Sequence, residues 1–117
     1  MTVGELSRCT GLSIRSIREY ERLGLIYSAG RSEGNYRLFD ETALWCAGAV
    51  ERLRALGLTL AEIQELAGFH RAGNERGLEQ RLGLLLEQAD KRLEARIAEL
   101  TETRERIREF QAERPPA

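Results

Sequence analysis

Hydrophobic residues along the first seventy positions come in short helical bursts, each preceded by a residue able to cap a helix and followed by a break. Thr2 with Glu5 fits a capping box, which predicts a helix through Leu6 to about Cys9, stopped by Gly11. Ser13 can cap a second helix that turns Ile14 and Ile17 inward and ends at Gly24. Two short helices joined by Thr10-Gly11-Leu12 have the dimensions of a helix-turn-helix. Gly30, Gly34 and Asn35 then tolerate turns with positive φ, and Tyr36 to Phe39 alternates apolar with basic residues. That stretch predicts one short strand of a hairpin, hence a wing. Asp40 can cap a third helix with Leu44, Ala47, Val50 and Leu53 at helical spacing, ended by Gly57. Thr59 and Glu62 form a second capping box, opening a fourth helix with Leu60, Ile63, Leu66 and Ala67 on one side.

The last segment differs in kind. After the break at Ala72-Gly73-Asn74, no proline or turn signal interrupts the pattern until Pro115-Pro116. Only Gly77 and Gly83 weaken it, each by about 1 kcal/mol against alanine. A helix over about Glu75 to Glu113 would be roughly 50 Å or more long. Leu86, Leu93, Leu100 and Ile107 fall seven apart, and Leu82, Ala89, Ile97 and Phe110 widen the stripe. Seventy residues cannot cover such a stripe, so it is expected to pair with a second copy; a helix folded back on its own domain is the alternative. The expected organisation is mainly α: a winged helix-turn-helix over residues 1–71, a linker at 72–76, a dimerisation helix at 77–113 and a disordered tail at 114–117.

Composition narrows the class. The 117 residues hold 42% apolar side chains, enough for a core, and 18 Lys and Arg against 19 Asp and Glu. Cys9 and Cys46 alone complete neither a disulfide framework nor a four-ligand metal site, and no cofactor is expected. No apolar run approaches the ~18 residues of a membrane span, so the expectation is a cytoplasmic protein with no membrane partner. Nothing resembles an enzyme's constellation of nucleophile, base or phosphate loop. The near-neutral total conceals an uneven distribution. From Arg8 to Arg37 there are six Arg against three Glu, whereas from Gly57 onward ten basic residues face twelve acidic ones. Lys91 apart, every basic residue is Arg, whose planar fork suits phosphates and guanine edges.

Taken in order, several stretches resemble the MerR family of bacterial transcription regulators. They are Val3-Gly4-Glu5-Leu6, Thr10 to Arg18 and Tyr20 to Ile26, then Arg31, Gly34-x-Tyr36-Arg37 and Leu53-Arg54-x-Leu56-Gly57-Leu58-Thr59-Leu60-x-Glu62-Ile63. The resemblance implies a homodimer joined through antiparallel long helices, each N-terminal domain reading one half of a palindromic operator. It also implies RNA polymerase at the promoter as a further partner, with the spacer DNA bent and untwisted. The residues of the second helix agree with this. Arg15, Arg18, Glu19 and Arg22 share one face, with Ser16 and Tyr20 flanking it and Ser13 at its start. Arg15 and Ser16 are expected nearest base edges, and Arg18, Tyr20, Arg31, Tyr36 and Arg37 on phosphates, the last three from the wing. For Tyr20 and Tyr36 the alternative is a hydroxyl capping a small core. Glu19 departs from the family pattern, which has an aromatic there, and is expected to pair with Arg15 or Arg22. The rival class is a coiled-coil interaction adaptor without DNA binding, which leaves the arginine face and the wing unexplained.

The cysteines of metal-sensing relatives have no counterparts in Ala72 to Leu78 or Phe110 to Ala117. Phe69 to Asn74 and Leu78-Glu79-x-Arg81-Leu82 look like the aldehyde- and nitrosative-stress-responsive branch, but Arg52 stands about where that branch has its cysteine. Cys46 is expected to be a buried, inert thiol, Cys9 core or incidental, and His70 structural or solvent-facing. Trp45 is expected to anchor domain packing or, alternatively, to line a small pocket.

Overall fold

The computed structural model describes residues 1–116. Among them run α1 (Val3–Thr10), α2 (Ile14–Arg22), β1 (Gly30–Arg31), β2 (Arg37–Leu38), α3 (Glu41–Ala55), α4 (Leu60–Arg71) and α5 (Glu75–Ala112). Each of the first four helices starts at its sequence-predicted cap. The Thr2 hydroxyl accepts from the Glu5 amide at 3.3 Å while the Glu5 carboxylate accepts from the Thr2 amide, and Thr59 and Glu62 repeat the exchange at 3.1 and 2.8 Å. Hydrogen bonding from the threonine backbone holds the Glu5 and Glu62 carboxyls below the usual range. Ser13 and Asp40 accept from Ser16 and Ala43 amides at 3.1 and 3.0 Å.

The turn between α1 and α2 passes through Gly11 at φ 75°, a left-handed conformation that a side chain would strain. The Thr10 hydroxyl locks it, donating to the Leu6 carbonyl at 2.8 Å and accepting from the Leu12 amide at 3.1 Å. In the wing, Gly30 lies opposite Leu38 and Arg31 opposite Arg37, antiparallel, with Asn35 supplying the positive φ of the tip. Residues at the start of the chain run beside β2: Thr2 bridges Leu38, and the Phe39 amide donates to the Met1 carbonyl at 2.6 Å. The wing is therefore pinned to the base of α1.

Leu6, Ile17, Tyr20, Ile26, Phe39 and Ala47 form the centre of the core. On α2 the seam runs through Ile17 and Tyr20, so Ile14, expected inward, is left 39% exposed in the first turn. The start of α5 docks on α4 by burying Leu85 and Ala89, with Leu78 and Leu82 packed beside them. An Arg81–Glu65 ion pair at 2.7 Å and an Arg92 hydrogen bond to the Gly57 carbonyl at 3.0 Å hold the same seam.

This docking corrects part of the expected dimerisation stripe. Ala89 is buried against its own domain and Leu82 is half-buried there, because α5 needs two apolar faces near its start. The connection is also shorter than the expected 72–76 linker: Glu75 and Arg76 already belong to the helix, capped by the Asn74 side chain. From Asp90 to Pro116 every residue is exposed, and the 38 residues of α5 span about 57 Å. The molecule accordingly measures 80 × 35 × 18 Å. Residues 113–116 follow the helix without regular structure, and the part of the expected tail at residue 117 lies outside the described residues. No helix among the described residues is long and apolar enough to cross a membrane.

Candidate nucleic-acid interface

Helix α2 presents Arg15, Arg18 and Arg22 exposed along one side, with Glu19 half-exposed between them. Glu19 grips Arg22 in a two-pronged ion pair, one prong being Nε to Oε2 at 3.0 Å. The Arg22 hydrogen bond, with smaller attraction from Arg22 and Arg15, holds the Glu19 carboxyl below its usual range, and the pairing raises Arg22 in turn. That pair is close to self-neutralising. Arg15 and Arg18 form no ion pair among the described residues, so they carry the uncompensated charge of the first two turns. Ser13 donates its hydroxyl to Ser16 Oγ at 3.0 Å, which leaves the Ser16 proton available to an outside acceptor.

The wing meets α2 across a cavity of about 420 Å³ whose wall includes Arg18, Arg31, Tyr36 and Arg37. Four of the expected phosphate-contacting residues thus converge from two elements. Three guanidinium groups share this wall with one carboxylate, Glu21, which pairs with Arg37. Arg31 donates to the Asn35 carbonyl at 3.2 Å, and Tyr36 is 70% exposed at the wing tip. Such a notch has a net positive field suited to a phosphate diester. Glu21 was not singled out by sequence reasoning. Its partner lies sixteen positions away across the wing, a separation no local pattern signals.

Tyr20 does not join this set. It is 2% exposed and its hydroxyl donates to the Glu51 carboxylate while accepting from Arg54 at 2.9 Å. Burial, then the Glu51 hydrogen bond, raises its pKa. The physical reason is its place three residues after Ile17, on the inward face of α2. Tyr20→Phe is expected to destabilise the fold by about 1–2 kcal/mol, since Glu51 and Arg54 lose their bridging hydroxyl. Urea denaturation checks the loss, and duplex affinity per folded molecule is expected to stay unchanged.

Cys9 is exposed and Cys46 half-buried. Burial and then the Asp40 carboxylate push the Cys46 thiol up, away from the reactive thiolate form. Trp45 is 61% exposed, with its ring 6.0 Å from that of the exposed His70 and tilted by 30°. Among the described residues, no three His, Cys, Asp or Glu side chains cluster to hold a metal ion.

A short capped helix pair with an arginine-lined face, a pinned wing and a protruding C-terminal helix together define a winged helix-turn-helix protein. Residues 1–68 match the family described as MerR HTH family regulatory protein, and residues 49–110 the one described as MerR, DNA binding. The chain belongs to the MerR family. It is 31% identical over 108 residues to the nodulation protein NolA of Bradyrhizobium sp. (strain NC92), covering 91% of this chain and 41% of that protein. It is 30% identical over 110 residues to a ZntR homolog of Haemophilus influenzae, an HTH-type transcriptional regulator, covering 94% of this chain and 80% of that protein. The chain spans less than half the length of several curated relatives that it matches. Its fold also matches the crystal structure of HiNmlR, a MerR family regulator lacking the sensor domain, bound to promoter DNA. That match has a TM-score of 0.65 at 27% identity and covers 95% of this chain and 86% of the other.

Proposed function

We propose that this chain is a DNA-binding transcriptional regulator that acts as a cytoplasmic homodimer on a palindromic promoter operator. The carrying observation is the convergence of Arg18 from α2 with Arg31, Tyr36 and Arg37 of the wing around one basic notch, beside an unpaired Arg15. In this reading the N-terminal turns of α2 enter the major groove, with Arg15 and Ser16 towards base edges. The notch seats a backbone phosphate, and the Glu19–Arg22 pair borders the groove without adding net charge. Residues of α5 beyond Ala89 join two copies in antiparallel fashion and set the distance between the reading heads. Distortion of the spacer DNA beneath a promoter-bound RNA polymerase completes the proposal, supported by family membership and by the DNA-bound relative.

The test is the anisotropy of a labelled duplex carrying the region upstream of the protein's own coding sequence, titrated at several salt concentrations. Arg15→Ala is expected to relax preference at one base pair per half-site by about 1–3 kcal/mol. Arg31→Ala should weaken binding to all sequences alike and reduce the salt slope by about 1. Arg31 is the cleaner probe of the notch, because Arg37 is already paired with Glu21. Failure to bind any duplex at low salt overturns the proposal and favours a protein-interaction adaptor.

A further inference from the structure

Helices α3, α4 and the start of α5, with Leu25, line an apolar hollow of about 720 Å³ that opens to solvent beside Trp45 and Leu56 and to which neither α2 nor the wing contributes. Its size lies within the range of small-molecule sites. Aliphatic side chains make up most of the wall, and no carboxylate lines it. Trp45 with His70 forms one end, and Arg52 lies two turns further along α3. The Arg52 guanidinium is exposed and makes no ion pair or side-chain hydrogen bond among the described residues. Its helical neighbours one turn away are Gly48, Ala49, Ala55 and Leu56, so its own helix offers no acidic partner either. An unpaired guanidinium at the rim of an apolar hollow suits a ligand that supplies both an anion and an apolar body.

We propose that this cavity binds a single-tailed amphipathic carboxylate, with the carboxylate forked onto Arg52 and the tail running towards Trp45. The seven residues from Trp45 to Arg52 rise about 10 Å, which fits a chain of about eight carbons. The hollow is walled partly by the DNA-binding unit and partly by Leu78, Leu82 and Leu86 of α5. An occupant therefore touches both the reading head and the rod that carries it. It favours the head–rod angle that fits it best and changes duplex affinity by that preference. This regulatory consequence rests on the proposed DNA binding; occupation of the cavity does not.

Trp45, the single tryptophan, reports on the site by its fluorescence. The intact chain is titrated with octanoate and, in parallel, with 1-octanol. Octanoate is expected to shift Trp45 emission saturably and to bind about tenfold more tightly than the alcohol. Arg52→Gln should erase that preference while leaving 1-octanol binding unchanged, and Arg52→Lys should restore part of it. Equal affinities for acid and alcohol, or a preference that survives Arg52→Gln, overturn the proposal. An emission shift that follows protein concentration and ignores octanoate also overturns it, because a second copy then fills the hollow. Duplex anisotropy in the same samples separates the two proposals: an octanoate response without duplex binding refutes only the DNA-binding reading.

Discussion

The double substitution Leu93→Asp, Leu100→Asp is expected to convert the protein to a monomer and to lower affinity for a two-half-site duplex by about 100–1,000-fold. Both leucines are about half exposed on a helix whose residues beyond Ala89 are all exposed, with Arg92 reaching back to Gly57 and Glu62. With Ile97, Ile107 and Phe110 they leave a long apolar stripe in water. Burying each such side chain against a second copy contributes about 1.5–3 kcal/mol, and five together suffice to offset the cost of association. Two carboxylates in the seam remove two of these contributions and add unpaired charge. Each head then binds its half-site alone, without the high effective concentration that tethering supplies. Sedimentation and anisotropy on one- and two-half-site duplexes check this. A variant that remains dimeric, or that binds both duplexes as the parent does, refutes the assignment of α5.

The second large effect is on folding. Leu85→Ala is expected to destabilise the chain by about 3–4 kcal/mol, whereas Leu84→Ala should change stability by no more than about 0.5 kcal/mol. Leu85 is 1% exposed where α5 docks on α4, and Leu84, its neighbour in sequence, is 52% exposed. Truncating Leu85 opens a cavity at the place where the rod is attached, while truncating Leu84 removes a side chain that contacts mainly water. Leu84 also sits two residues before Leu86, on the opposite side of the helix from it. Chemical denaturation of the two variants measures the difference, and similar midpoints would refute this account of the docking.

The contrast between Leu84 and Leu85 marks where sequence reasoning stops. Gly83-Leu84-Leu85-Leu86 is a run of apolar residues with no local cue to rank them. Tertiary packing makes the distinction by placing α4 opposite one of the three. Ala89 follows the same logic: at seven-residue spacing with Leu82 it joins the expected stripe, yet its own domain buries it. On α2, Tyr20 flanks the arginines along the chain but points the other way, because the core lies beneath Ile17 and draws the ring with it. The Arg37–Glu21 pair and the cavity beneath Trp45 depend on elements that meet only after folding.

What the chain dictates by itself is everything decided within one helical turn. The caps at Thr2, Ser13, Asp40 and Thr59, the left-handed stop at Gly11, and the side of α2 that carries Arg15, Arg18 and Arg22 rest on bonds and spacings of three or four residues. Which apolar face of α5 turns home and which is left for a partner, and whether a tyrosine among arginines serves the surface or the core, depend on surfaces brought together from distant positions. Short-range hydrogen bonds have one available partner and can be read from spacing; apolar contact has no direction and is settled only by what lies across the gap.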